Sequence, residues 1–277
     1  GGDCLNVGCV PSKAIIRASR ALFDARNSQG FGVESGAGLA FDFPAAMERM
    51  RRLRASISRH DSASRFRDEL GVDVFIGQAR FVGPDCIEVD GTPLFFQRAA
   101  ICTGARAAVP SIPGLSESGY LTNETVFNLT ELPPRLAVIG GGPIGCELAQ
   151  AFARFGSRVT LIHHGPHLLG RDDSDAAALL QDVFVLEGID LRLGTQIERV
   201  ERVGTESVLH LEGGDNAGQV RADAILVAVG RAPNLDGLDL ESASVAYGRE
   251  GVRVDDRMQT TNARIYAAGD ICSRFKF

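Results

Sequence analysis

The chain has no initiator methionine, and among its 29 basic residues only Lys13 and Lys276 are lysines. No apolar run reaches the roughly 18 residues that a membrane-spanning helix needs, which argues against such a helix and against a membrane partner. Positive charge is not in excess. Twenty-nine Lys and Arg face 35 Asp and Glu, a net charge of −6, which excludes general affinity for nucleic acid. Short-period repeats and low-complexity tracts are missing, so a solenoid or a disordered array is excluded. The six cysteines include no C-x2-C pair of the kind that opens a structural zinc site. They are also too sparse for the disulfide framework of a small secreted domain.

What is present fits an ordinary globular protein. The 277 residues, 44% hydrophobic and 23% charged, leave room for two domains. Four cysteines, Cys86, Cys102, Cys146 and Cys272, are scattered and read as small buried apolar residues. Cys4 and Cys9 form one tight pair, the usage expected of a cytoplasmic protein with one redox-active couple. The arginine-dense stretch from Arg49 to Arg67 reads as a solvated helix face.

The spacing of Ala14, Ile15, Ala18, Ala21 and Leu22 predicts a helix from Pro11 to about Ser28, with Pro11 in its first turn. Glycine-rich residues 30–38 read as a loop, and Phe43 to Leu70 as a second, more polar helix stopped by Gly71. "VDVFIG", "CIEVD" and "PLFFQ" read as short strands, and "RAAICTGA" as a buried strand running into a glycine turn. The Pro/Gly/Ser-rich segment 109–119 reads as a crossing between domains. From "PPRLAVIGGG" the pattern alternates strand and helix to "ADAILVAVG". "RAPN" then leads back to a last strand, "RIYAAGD".

Within "LAVIGGGPIGCELAQAFARFGSRVTLIHH", Gly140, Gly142 and Gly145 stand at G-x-G-x-x-G spacing. An apolar strand, Leu136–Ile139, precedes them. A helix from Pro143 to about Phe155 follows, then a strand, Val159–Ile162. In that context each glycine has a job: to turn the chain, to admit a pyrophosphate to backbone N–H groups, and to pack helix on strand. The helix N-terminus adds partial positive charge for the phosphates. At the end of the second strand, where an acidic residue would bind a ribose 2′-hydroxyl and select NAD, stand His163 and His164. A protonated imidazole suits a 2′-phosphate, so NADP is favoured over NAD. A metal site built from His163, His164 and His167 is discounted, because Gly165-Pro166 breaks regular ligand geometry.

Cys4 and Cys9 lie just before a predicted helix start. A dipole there lowers a thiol pKa and keeps the thiolate reactive. Two inert structural thiols would need an apolar setting, and "DCLNVGC" is polar and glycine-rich.

With these segments in hand, the sequence resembles the flavin-dependent pyridine nucleotide-disulfide oxidoreductases. "GGDCLNVGCVPSK", "GGGPIGCELA", "VGRAPN" and "TTNARIYAAGD" stand in the family's order. "GCVPSK" and the tail "GDICSRFKF" look closest to its mercuric-reductase-like and dihydrolipoamide dehydrogenase-like members. The resemblance implies an α/β fold with two Rossmann-like dinucleotide-binding domains, each carrying a small antiparallel β element. Residues 1–111 and 234–277 would form an FAD domain lacking its first βαβ unit, and 112–233 an inserted NAD(P) domain.

The resemblance also implies roles. Cys9 would sit next to the flavin, Cys4 would be the interchange thiol, and Lys13 would pair with Glu147 beside the reactive flavin edge. Gly1, Gly2, Lys13, Ala79, Thr103, Gly104 and Asp270 would meet FAD, although Cys102 stands where alanine is common. Gly140, Gly142, Pro143, Ile144, Gly145, Glu147, His163, Ile197 and Gly230 would line the nicotinamide dinucleotide. Electrons would pass from NAD(P)H through FAD to the Cys4–Cys9 disulfide. From there they would go on to mercuric ion or a disulfide, in the cytoplasm, within a homodimer. A lipoamide- or glutathione-directed activity is the alternative substrate reading, and a flavoenzyme without an active disulfide is a mechanistic one. The family's C-terminal interface domain, with its His-x4-Glu pair, has no counterpart here, since none of the five histidines has glutamate at that spacing. The sequence therefore reads as an internal piece of a longer protein. Alone it is expected to bind FAD poorly and to act, at most, as a nucleotide-binding piece.

Overall fold

Leu136 to Ile139 hold the centre of the larger of two units. In the structure, a computed structural model that describes residues 2–33, 39–213 and 217–276, they belong to a four-stranded parallel sheet. Its strands run in the order Ala224–Val227, Arg135–Ile139, Arg158–Ile162 and Asp190–Arg192. A parallel sheet is covered on both faces, so its strands read as unbroken apolar runs. Alternation still decides which way each residue points. Leu136, Val138, Val159, Leu161 and Leu226 join one core cluster, which includes residues of the helices. Ala137, Ile139, Ile162, Ile225 and Val227 join a second. That second face is covered by an antiparallel sheet of Gln196–Val203, Glu206–Glu212 and Gly218–Ala222. The strand–helix alternation of the sequence thus gives way, after residue 192, to an antiparallel element.

The helices of this unit are α1 (Asp3–Asn6), α2 (Cys9–Arg26), α3 (Phe43–Ser58), α4 (Leu115–Ser118), α5 (Pro143–Phe155) and α6 (Ser174–Leu186). The stripe Ala14, Ile15, Ala18 and Leu22 of α2 lies in one core cluster with Leu148, Ala149 and Phe152 of α5. Phe43, Met47 and Met50 of α3 enter the same cluster. Phe41 stacks on Phe155 with centroids 4.6 Å apart. By packing, the chain divides into Gly1–Arg65 with Val109–Gly230, and Phe66–Ala108 with Arg231–Phe277. Residues 1–65 therefore pack with the 109–230 segment, because α2 and α3 bury their apolar faces there.

The smaller unit contains the parallel pair Ala99–Ile101 and Ile265–Ala267, and an antiparallel sheet of Ala79–Gly83, Cys86–Val89 and Thr92–Phe95. Ala105–Ala107 pairs with Arg231–Pro233. Phe81, Ile101, Leu240, Val245, Ile265 and Ile271 form its core.

Three expectations need correction, and one lies partly out of view. Helix α3 stops at Ser58, not Leu70. Ser56 and Ser58 donate to the carbonyls of Leu53 and Ala55, and Ser62 Oγ accepts from Arg65 N, so short polar side chains compete with the helical ladder. A single π-turn, Arg65–Glu69, follows. "VDVFIG" forms no strand: Val72, Phe75 and Ile76 are exposed, and β propensity without a neighbouring strand is not enough. Among the scattered cysteines, Cys86 and Cys146 are buried, but Cys102 is exposed and Cys272 half-buried. Residues 34–38 of the expected glycine-rich loop lie outside the described residues.

Candidate active site

The two thiols are brought together by a reversal of the chain between α1 and α2. Gly8 caps α2, and a Cβ there would lie 3.0 Å from the Asp3 carbonyl oxygen and 3.1 Å from Cys4 Cα. Glycine is what allows the return to pass so close. Cys9 is the first residue of α2 and Cys4 lies inside α1. The neighbouring Cys4 side chain, then burial and the charge Cys4 can carry, hold the Cys9 pKa above the ordinary thiol value. Lys13 pulls the other way and loses. The expectation of a lowered pKa at the helix start is therefore corrected for Cys9. The neighbouring thiol and burial raise it more than the local backbone and Lys13 lower it.

One turn further along α2, Lys13 Nζ donates to both carboxylate oxygens of Glu147 on α5, at 2.6 and 2.7 Å. The pair is open to solvent, with side-chain exposures of 59% and 37%. Its contribution to stability is therefore below about 1 kcal/mol.

The glycine turn lies between the Arg135–Ile139 strand and α5. Gly140 has φ 113°, and a Cβ there would lie 2.4 Å from the Ala228 carbonyl oxygen. A Cβ on Gly145 would lie 2.0 Å from the Gly140 carbonyl oxygen. These two glycines satisfy packing. Gly142 differs: it caps α5 with φ −79°, and nothing lies within 4 Å of where its Cβ would be. The cap has no side-chain hydrogen bond, Pro143 stands at the first position, and no acidic residue occupies the first turn. An uncapped helix start faced by open space suits the phosphates of a dinucleotide. Ile144 packs against the core, Ile197 against the second cluster, and Gly230 has φ 123° at the end of the Ala224–Val227 segment.

His163 does not present a positive charge. Its Nδ1 accepts from the Gly141 N–H at 3.2 Å, which puts the ring proton on Nε2. The ring is wedged between two glycines: a Cβ on Gly141 would lie 2.9 Å from its Cγ, and one on Gly165 would lie 2.8 Å from its Nε2. Burial, then His164 and His167, lower its pKa below the ordinary imidazole value. The protonated imidazole expected from sequence is corrected here to a neutral one. His164, 4.8 Å from it between ring centroids, is exposed.

The residues assigned to FAD fall in the smaller unit, apart from Gly2, which is described with φ 88° as the cap of α1, and Lys13. Gly1 lies outside the described residues. Ala79 opens its strand and is exposed. Thr103 and Gly104 are clasped by Asn234: Thr103 Oγ1 donates to its carbonyl, its Nδ2 donates to the Thr103 carbonyl, and its backbone N–H donates to the Gly104 carbonyl. Asp270 is met by Arg231 Nε at 3.1 Å, and the same guanidinium donates to the Ala105 carbonyl. Arg231 thus gives the half-buried Asp270 carboxylate a charged partner within the chain itself. Arg231 and Asn234 were legible only as letters of "VGRAPN", and their work appears in the contacts. Among the described residues, no group of three or more His, Cys, Asp or Glu is placed to hold a metal ion. Among the same residues no helix is long and apolar enough to cross a membrane.

Comparisons with known proteins bear on this arrangement. The family model described as pyridine nucleotide-disulphide oxidoreductase matches residues 1–277. A mercuric reductase of Staphylococcus aureus is 37% identical over 272 residues, which are 98% of this chain and 49% of that protein. A glutathione reductase of Burkholderia cepacia is 34% identical, over 99% of this chain and 60% of its own. Among solved structures, the HOCl-induced flavoprotein disulfide reductase RclA from Escherichia coli superimposes with a TM-score of 0.87 at 31% identity. That match covers 100% of this chain and 59% of RclA. The chain spans about half the length of the curated mercuric reductases it matches, from 43% to 58% in four further comparisons. A thiol pair at a helix start, a glycine turn open for phosphates and a family match along the whole sequence lead to one conclusion: the chain belongs to the pyridine nucleotide-disulphide oxidoreductase family.

Proposed function

We propose that the protein carrying this chain moves two electrons from NAD(P)H, by way of FAD, to a Cys4–Cys9 disulfide and on to mercuric ion or a disulfide substrate. The observation that supports this most is the placing of Cys4 and Cys9 on either side of the close return at Gly8, one thiol exposed and one half-buried, with the Lys13–Glu147 pair one turn along α2.

Bound FAD supplies the two-electron relay between a nicotinamide hydride and a disulfide. The chain's own residues do the rest. Gly140 and Gly145 hold the turn in shape, while Gly142 and the start of α5 receive the dinucleotide phosphates, with Pro143, Ile144, Glu147, Ile197 and Gly230 around them. Gly1, Gly2, Ala79, Thr103, Gly104 and Asp270 are assigned to FAD, with Asn234 holding Thr103 and Gly104, and Arg231 holding Asp270. Lys13 and Glu147 order the polar edge beside the thiols. Cys4, the exposed thiol, attacks a substrate disulfide. Closure of Cys4–Cys9 then releases two substrate thiols, with the two electrons and two protons coming from the protein dithiol. With mercuric ion the same two electrons reduce the metal, and the protons go to solvent.

NADPH is the favoured nucleotide. His163 and the exposed His164 stand where a carboxylate would select NAD. A homodimer and a cytoplasmic setting accompany this reading, and sedimentation tests the first.

The decisive experiment is anaerobic reduction of the flavin-loaded protein with NADPH, followed by alkylation and peptide mapping. Two new thiols, on Cys4 and Cys9, are expected. Cys4→Ser should bind nucleotide normally and lose substrate turnover. Retained turnover in that variant overturns the proposal. Parallel assays with Hg(II), glutathione disulfide and lipoamide assign the substrate.

A further inference from the structure

The segment between the two cysteines is held from outside at two consecutive carbonyls. Arg54 Nη1, from the middle of α3, donates to the Asn6 carbonyl at 3.0 Å. Asn123 Nδ2 donates to the Val7 carbonyl at 3.2 Å. The donors lie 48 and 116 residues away in sequence. The rest of the segment is fixed as well, since Leu5 is 4% exposed and Gly8 rests on the Cys4 backbone.

Asn123 is rigidly mounted. It is 6% exposed and sits in a tight turn where Glu124 N donates to Thr122 Oγ1 and Val126 N to the Thr122 carbonyl. Fully buried Val126 and Phe127 follow it. Two residues before it, Leu121 exchanges backbone hydrogen bonds with Ile225 and Val227 of the parallel sheet. The sheet thus reaches the thiol loop through one side chain. A short loop with both carbonyls tied samples few conformations. The fewer it samples, the higher the effective concentration of one thiol at the other.

We propose that Asn123 and Arg54 are positioning residues for the thiol pair, holding Val7 and Asn6 so that Cys4 and Cys9 close to a disulfide more readily. This rests on the redox role proposed above for the two cysteines. The reaction is exchange with an external disulfide: the dithiol and one glutathione disulfide give the Cys4–Cys9 disulfide and two glutathione thiols.

The test equilibrates the full chain in glutathione buffers, quenches with acid and reads the Cys4–Cys9 disulfide by mass after alkylation. Asn123→Ala is expected to lower the equilibrium constant for closure about tenfold, equivalent to a potential about 30 mV higher. Arg54→Ala should lower it about threefold on the same scale, and Arg54→Lys, which keeps a donor, should recover most of that. Arg51→Ala is the control. Arg51 lies on the same helix but donates to the Leu129 carbonyl, so a general loosening of α3 would affect both and a loop effect only Arg54. If circular dichroism shows that Asn123→Ala does not fold, the Arg54 variants and the Arg51 control decide. Equal closure constants in the parent chain, Asn123→Ala and Arg54→Ala, or a higher constant in the variants, overturn the proposal. Failure of the parent chain to form a Cys4–Cys9 disulfide in any buffer is a different result, and it defeats the redox reading itself.

Discussion

Gly142 and Gly145 stand three residues apart and carry different burdens. A methyl group on Gly145 meets the Gly140 carbonyl oxygen at 2.0 Å, a backbone atom with nowhere to go. Gly145→Ala is expected to cost about 1–3 kcal/mol of stability, read by urea denaturation, and to weaken nucleotide binding with it. A methyl group on Gly142 meets nothing within 4 Å. Gly142→Ala should keep stability within about 1 kcal/mol, yet lose roughly tenfold in NADPH affinity by fluorescence titration, because the methyl fills the space a pyrophosphate needs. Normal NADPH affinity in Gly142→Ala would remove the phosphates from this turn. His163 makes a pH prediction with a definite sign. Its folded pKa lies below the ordinary 6.5, for reasons of burial, so its contribution to stability is complete above pH 6.5 and declines as pH falls through the folded value. Protonation also turns Nδ1 into a donor facing the Gly141 N–H. NADH affinity, which involves no 2′-phosphate, is expected to drop as pH falls through that lowered folded value, and His163→Asn should flatten that dependence.

At the scale of the element, α5 shows how local rules and packing divide the work. Gly142, Pro143 and Gly156, the last with φ 118°, set its two ends by cap chemistry readable from sequence. What anchors its exposed side is not readable there. Arg154 donates through Nε and Nη2 to Glu187 at 2.8 and 2.6 Å, and lies over the Phe23 ring at 4.4 Å. Gln150 donates to the same carboxylate. Arg154 and Glu187 are only 15% and 10% exposed, so Glu187→Ala strands a half-desolvated guanidinium and should cost about 3 kcal/mol. Lys13→Ala, which opens a solvent-exposed pair, should cost less than about 1 kcal/mol. Urea denaturation of the two variants side by side checks the ordering. Helix α3 makes the same point in reverse. Its arginines read as a solvated face, which holds for Arg49 and Arg52, but Arg51 and Arg54 are half-buried and committed to carbonyls of other segments.

At the scale of the whole molecule, the stretch after α3 is lightly packed. Arg65 and Arg67 sit in a single π-turn, followed by exposed Leu70, Val72, Phe75 and Ile76. Few buried contacts hold that backbone, so limited trypsin digestion should cut after Arg65 or Arg67 before it cuts after Arg135 or Arg154. Early cleavage at the latter pair would contradict this reading of the stretch after α3. The βαβ unit was legible in full, because a glycine turn, a proline at a helix start and apolar strand runs act on neighbouring residues. The end of α3 and the "VDVFIG" strand were misread, because serine side chains outcompeted the helix and no strand came alongside.

By itself, then, the order of residues determined the glycine turn before α5, the closeness in sequence of two cysteines at a helix start and the family to which both belong. The turn and the cysteine pair are each encoded over a few consecutive positions, and the family over four such segments. Tertiary structure alone decided that His163 is neutral, that Arg231 meets Asp270, and that Asn123 and Arg54 grip the thiol loop. Those contacts join distant stretches of chain or depend on burial, and neither exists until the sheet and helices have packed.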